Sequence, residues 1–195
     1  MWVPEYGREY CEKLQAAGVD LWKYQWRSEG FVEIAHKQRE VEDRLAREAN
    51  RILICDTDVL STGIWHERYM KTRSAEVERI ADAQRHHLYL LTDCDLPFVQ
   101  DGLRDGESIR EWMTHRFEQV MTERGLAWVR MSGCDSQRLE SAIHEVDKLL
   151  TQPRISSYRE NCPVAQCGLS SVTLCAAEVY SCCCSMRCKL THIFP

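Results

Sequence analysis

Arg51-Ile52-Leu53-Ile54-Cys55-Asp56-Thr57-Asp58 decides the fold. An aliphatic, β-branched run here delivers two aspartates onto the loop that follows it. Such a run reads as a strand buried on both faces, as in a parallel sheet. A second run, Leu88-Tyr89-Leu90-Leu91, ends in Thr92-Asp93-Cys94-Asp95, and a third is Trp128-Val129-Arg130-Met131. Helical stretches lie between them. Glu5 to Ala17 stops at Gly18, and Phe31 to Asn50 places Phe31, Ile34, Ala35, Gln38, Val41, Leu45 and Ala49 on one face. Leu60 to Tyr69, Ala75 to Gln84, Glu107 to Arg124 and Ser136 to Leu150 follow. Trp2-Val3, before Pro4, reads as the end of one more strand. Strands alternating with helices predict a three-layer α/β/α fold with a parallel sheet.

Ligands in such sheets sit beyond the carboxyl ends of the strands, where Asp56, Asp58, Asp93 and Asp95 all fall. A strand ending in Asp-Thr-Asp matches the Walker B strand of a P-loop nucleotide-binding fold. There Asp56 would hold the Mg²⁺ of a bound nucleotide, directly or through water. The other reading is a turn in which the Asp side chains bond nearby backbone. The natural partner of a Walker B strand is a loop of the form GxxxxGK followed by Ser or Thr, and these 195 residues contain none.

Composition narrows the classes. The chain is long enough for one sizeable core. A formal net charge of −5 with mixed signs argues against a nucleic-acid binder. No apolar run suits a membrane span, and Met1 to Glu5 lacks the pattern of a signal peptide. A soluble cytoplasmic protein is the expectation. Seven of the eleven cysteines fall between Cys162 and Cys188, without CxxC spacing. Periodicity fades beyond Pro153. Residues 1–152 therefore read as the folded domain, and 153–195 as an irregular, Cys-rich tail that is disordered or non-native.

Further groups carry candidate chemistry. Glu5 and Arg8, at a strand-to-helix junction, suit recognition of sugar hydroxyls, or equally a helix N-terminus with a surface ion pair. Trp65 and Tyr69, four apart, could sandwich a flat, possibly cationic ring, or pack in the core. Gly102-Leu103-Arg104-Asp105-Gly106, with Arg110, suits a lid that folds arginine over a transferring phosphoryl group, or an ordinary solvated loop. His86 and His87 are adjacent in a segment entering a strand, point to opposite faces, and with His66 do not make a zinc site.

Several ordered segments then carry a resemblance: Val3-Pro4-Glu5-Tyr6-Gly7-Arg8-Glu9-Tyr10, Ile34-Ala35-His36-Lys37-Gln38, Leu53 to Asp58, Thr62-Gly63-Ile64-Trp65, Leu88 to Asp93, and Asp101-Gly102-Leu103-Arg104-Asp105. From Trp2 to about Leu150 the chain resembles the ribosylnicotinamide kinase domain of bacterial NadR-type NAD-biosynthesis proteins and its stand-alone AAA-type ATPase relatives. The resemblance implies a P-loop kinase fold. It implies ATP and Mg²⁺ as co-substrate and cofactor, and phosphoryl transfer to the 5′-hydroxyl of ribosylnicotinamide, giving nicotinamide mononucleotide. Asp56 would take the Walker B position and touch Mg²⁺ through water. Glu5, Arg8, Asp58, Trp65 and Tyr69 would face the nucleoside, and Arg104 and Arg110 would belong to the lid. In that family a first strand and its GxxxxGK loop precede the Val3-Pro4-Glu5 segment. Their lack predicts little kinase activity, with a non-catalytic nucleoside- or partner-binding module as the alternative. It also predicts that the strands at Ile52 and Leu88 miss their shared neighbour. Each unpaired buried backbone group costs about 1–3 kcal/mol, against a total stability of about 5–15 kcal/mol.

Overall fold

A computed structural model describes residues 1–100, 103, 107–151 and 172–177. Its elements run β1 (Trp2–Val3), α1 (Tyr6–Ala16), α2 (Ser28–Glu48), β2 (Ile52–Asp56), α3 (Val59–Met70), α4 (Ala75–Asp82), β3 (Leu88–Thr92), α5 (Arg110–Glu123), β4 (Trp128–Met131), α6 (Asp135–Thr151) and β5 (Val172–Ala177). Short 3₁₀ turns at Leu21–Lys23 and Glu107–Ile109 precede α2 and α5. The five strands form one parallel sheet in the order β1-β2-β5-β3-β4.

Side-chain alternation along the strands separates the two faces. Leu53 and Cys55 of β2 join Val3 beneath Val41 and Leu45 of α2. Tyr89 and Leu91 of β3 and Cys175 of β5 join Leu60 and Ile64 of α3 and Met113 and Phe117 of α5. On the opposite face Ile52, Ile54, Leu88, Leu90 and Leu174 pack against Ala142 and Val146 of α6. With both faces covered, every residue of β3 is buried, so the strands read as unbroken apolar runs. The expected three-layer α/β/α arrangement is present.

One element departs from the sequence reading. Val172–Ala177, inside the stretch read as a tail without structure, is the central strand. It pairs with all of β2, from Ile52↔Val172 to Asp56↔Ala176, and with β3 from Leu88↔Leu174 to Leu91↔Ala177. The slot between β2 and β3 is therefore filled. The physical reason is the cost of leaving it open: two rows of buried N–H and C=O groups would stand unpaired. Thr-Leu-Cys-Ala-Ala is short and apolar enough to run there, and Leu174 and Cys175 are buried on opposite faces. The remaining tail cysteines lie outside the described residues.

Candidate functional site

A cavity of about 460 Å³ opens at the carboxyl edge of β1 and β2. Glu5, Gly7, Arg8 and Cys11 line it from the start of α1, and Tyr24 and Trp26 from the loop before α2. Phe31, Ile34 and Gln38 line it from α2. Thr57, Ser61, Thr62, Trp65, Tyr69 and Met70 line it from the β2 turn and α3. The β2 turn bends sharply, because Thr57 has φ 63°, a left-handed conformation that a β-branched residue rarely adopts. Strain of this kind concentrates at ligand-binding turns, and Thr57 borders the cavity.

Trp26 is the centre of an aromatic cluster. Its ring centroid lies 4.9 Å from Phe31, 5.2 Å from Tyr69 and 5.2 Å from Tyr24, the last edge-on at 86°. Trp65 and Tyr69 stack at 6.0 Å and 27°. The wall is thus apolar and π-rich, with a carboxylate (Glu5), a guanidinium (Arg8) and hydroxyls (Thr57, Ser61, Thr62) around it. Apolar walls with a few convergent polar groups characterise small-molecule sites, and a flat or cationic ring suits these faces. Glu5, Arg8, Trp65 and Tyr69 are brought together here. Trp26 and Tyr24 went unread in the sequence, because Tyr24-Gln25-Trp26 sits in a loop with no periodicity to mark it. Burial pushes the Cys11 thiol up to about 11, with the Glu5 charge adding to the shift.

Other expected site residues stand elsewhere. Asp58 is 1% exposed and does not line the cavity. Its Oδ1 accepts from Ser61 N (3.0 Å) and Ser61 Oγ (3.1 Å), capping α3, and its Oδ2 accepts from Tyr89 Oη at 2.9 Å. It holds the turn from behind rather than facing a nucleoside; the helix N-terminus and the buried phenol satisfy its carboxylate better than the cavity would. Arg110 is also buried, donating through Nη2 to the Leu96 carbonyl at 2.7 Å and lying 6.0 Å from the Phe98 ring. It fastens the segment after β3 and does not line the cavity. Arg104 lies outside the described residues, although its neighbour Leu103 reaches the cavity. Asp56 ends β2 at the same edge, half-buried. Asp93 and Asp95 are committed to structure. Asp93 accepts from Cys94 N at 2.8 Å and pairs with Arg130 at 3.2 Å; these contacts outweigh burial and hold its carboxyl below the usual range. Asp95 binds the buried Arg138 and Gly133 N.

An AAA domain family model matches residues 1–138, well over half of the sequence. The chain belongs to the AAA domain family. It is similar to the trifunctional NAD biosynthesis/regulator protein NadR of Salmonella typhimurium strain LT2, 26% identical over 133 residues, 67% of this chain and 32% of that protein. It is likewise similar to the protein of the same name from Escherichia coli strain K12, 27% identical over 153 residues, 77% of this chain and 36% of that protein. The chain thus spans about a third of the length of these relatives. Together with the parallel sheet, the matches support a P-loop kinase-like fold similar to NadR. That family implies ATP and Mg²⁺. Asp56 stands half-buried at the carboxyl end of β2, and the 195 residues hold no GxxxxGK loop beside it. Among the described residues, no helix is long and apolar enough to cross a membrane.

Proposed function

We propose that the cavity binds a ribosylnicotinamide-like nucleoside, and that the domain serves ATP-dependent phosphorylation of its 5′-hydroxyl to nicotinamide mononucleotide. The single observation that carries this reading is the aromatic wall of Trp26, Trp65 and Tyr69 beside Glu5 and Arg8. In the proposal the rings take the pyridinium face, where stacking and cation–π attraction act together. Glu5 accepts from ribose hydroxyls and Arg8 donates to them. Asp56 meets Mg²⁺ through water, and Arg104 belongs to the lid whose neighbour Leu103 touches the cavity. When bound, Mg²⁺ supplies charge neutralisation at the transferring phosphoryl group.

Transfer is impaired in these 195 residues, which lack the GxxxxGK loop whose backbone N–H groups and Lys hold the β/γ-phosphates. The second reading, a nucleoside-binding module without transfer, rests on the aromatic cavity together with the absence of a GxxxxGK loop from the sequence. The test is ATP-dependent formation of nicotinamide mononucleotide by the purified chain. Turnover well below the roughly 1–100 s⁻¹ of typical kinases supports impairment. Turnover in that range overturns it.

A further inference from the structure

Behind the Asp58 turn, three elements bring a carboxylate, a thiol and an imidazole together. Glu42 comes from α2, Cys55 from β2 and His86 from the segment leading into β3. One ligand atom from each lies within 4.8 Å of the other two, and all three side chains are buried. We propose that Glu42, Cys55 and His86 bind a divalent transition-metal ion of the zinc class.

The Glu42–His86 separation suits that ion. Bonds of about 2.0–2.3 Å in a tetrahedron put neighbouring ligand atoms about 3.3–3.7 Å apart. Glu42 Oε2 and His86 Nε2 are 3.5 Å apart. The other ring nitrogen of His86 lies 3.1 Å from Tyr89 Oη and 3.6 Å from Asp58 Oδ2. A carboxylate behind the far nitrogen of a liganding histidine is the usual arrangement that fixes its tautomer and ring orientation. Gln84 is buried, and its Nε2 donates to Glu42 Oε2 at 2.5 Å, which fixes the orientation of the Glu42 carboxylate toward the group.

The donor set selects the ion. A thiolate with an imidazole and a carboxylate suits zinc, whereas Mg²⁺ and Ca²⁺ take oxygen ligands. This site is therefore distinct from any Mg²⁺ at Asp56. Cys175 of β5 is the register partner of Cys55 and stands on the same sheet face, outside the three-residue group. Arg39 on α2 is turned outward to Asp43 at 2.7 Å. An ion here would tie α2, β2 and the start of β3 together and brace the Asp58–Tyr89 contact that supports the cavity turn.

The experiment uses the full chain, stripped with chelator and titrated with Zn²⁺ and, separately, Co²⁺. The expected result is one ion per chain, a raised Tm with Zn²⁺, and a thiolate-to-cobalt charge-transfer band. Cys55→Ser and Glu42→Gln should each weaken binding at least about tenfold. A triple Ser variant of Cys182, Cys183 and Cys184 should keep the ion. Absence of binding to the folded wild type overturns the proposal. So does an ion that Cys55→Ser retains, or one that leaves with the triple variant. If Cys55→Ser fails to fold, X-ray absorption of the zinc-loaded wild type decides. A mixed sulfur and nitrogen/oxygen shell supports the site, and an all-sulfur shell overturns it.

Discussion

Replacing Leu174 by Ala tests whether the C-terminal strand is the centre of this sheet. Leu174 is 1% exposed and packs among Ile52, Ile54, Leu88, Leu90, Met131 and Val146, on the face covered by α6. Truncating a leucine in such a site costs about 2–5 kcal/mol, from lost transfer energy plus the cavity left behind. For a domain of this size each kcal/mol moves Tm by about 2–4 °C. The expected loss is therefore about 4–20 °C, a large part of a total stability of about 5–15 kcal/mol. Thermal unfolding followed by far-ultraviolet circular dichroism, with urea denaturation for ΔΔG, reads it directly. The refuting result is a change within about 0.5 kcal/mol, the range of an exposed substitution. It would mean that residues 172–177 do not occupy the slot between β2 and β3. Truncation after Thr151 should be harsher: it removes the pairing partner of both strands, and the product should lack a cooperative transition.

Trp26→Ala removes the ring that contacts Phe31, Tyr69 and Tyr24. One stacking contact between this ring and a bound ring is worth about 0.5–1.5 kcal/mol, so the Kd for ribosylnicotinamide should rise about two- to tenfold, measured by calorimetry. Asp58→Ala should act on stability instead, costing about 0.5–2 kcal/mol through loss of the α3 cap; an unchanged Tm with abolished ligand binding would return Asp58 to the cavity. Cys11 should alkylate slowly at neutral pH. Its thiol is pushed up to about 11, so thiolate forms later than usual and only about one in a hundred molecules carries it at pH 9. Its labelling rate, read by peptide mass spectrometry, should climb about tenfold per pH unit beyond pH 9, and bound nucleoside should suppress it. A rate that levels near pH 9 contradicts the burial argument.

The sheet was largely legible because its strands are buried on both faces. Ile52–Asp56 and Leu88–Thr92 have no other use for such apolar runs, whereas Trp128–Met131, at the sheet edge with Arg130 exposed, was marked by its β-branched and aromatic residues. Helices with an apolar stripe were equally plain, although α2 begins at Ser28, ahead of its first apolar residue. What periodicity conceals is a polar residue buried in that stripe. Glu42 is 5% exposed while the neighbouring Val41 is only half-buried, because Gln38, Gln84 and His86 complete the hydrogen bonds of its carboxylate. These partners come from distant stretches, and sequence spacing cannot pair them. Val172–Ala177 was hidden for a related reason. Six residues in a serine- and cysteine-rich context carry too little pattern to announce a strand, and the demand for one comes from the gap between β2 and β3. Glu5, Arg8, Trp65 and Tyr69, singled out from their spacing and by the family resemblance, line one cavity. Asp58 was misdirected because Asp-Thr-Asp reads alike whether its second carboxylate turns outward to a ligand or inward to a helix N-terminus.

Calorimetric titration of the folded chain with ribosylnicotinamide, and separately with ATP, tests the central claim most directly. The described residues form an aromatic cavity, and the sequence holds no GxxxxGK loop, so one nucleoside should bind per chain, with ATP binding weak or absent. No heat with ribosylnicotinamide from protein that melts cooperatively would contradict the account.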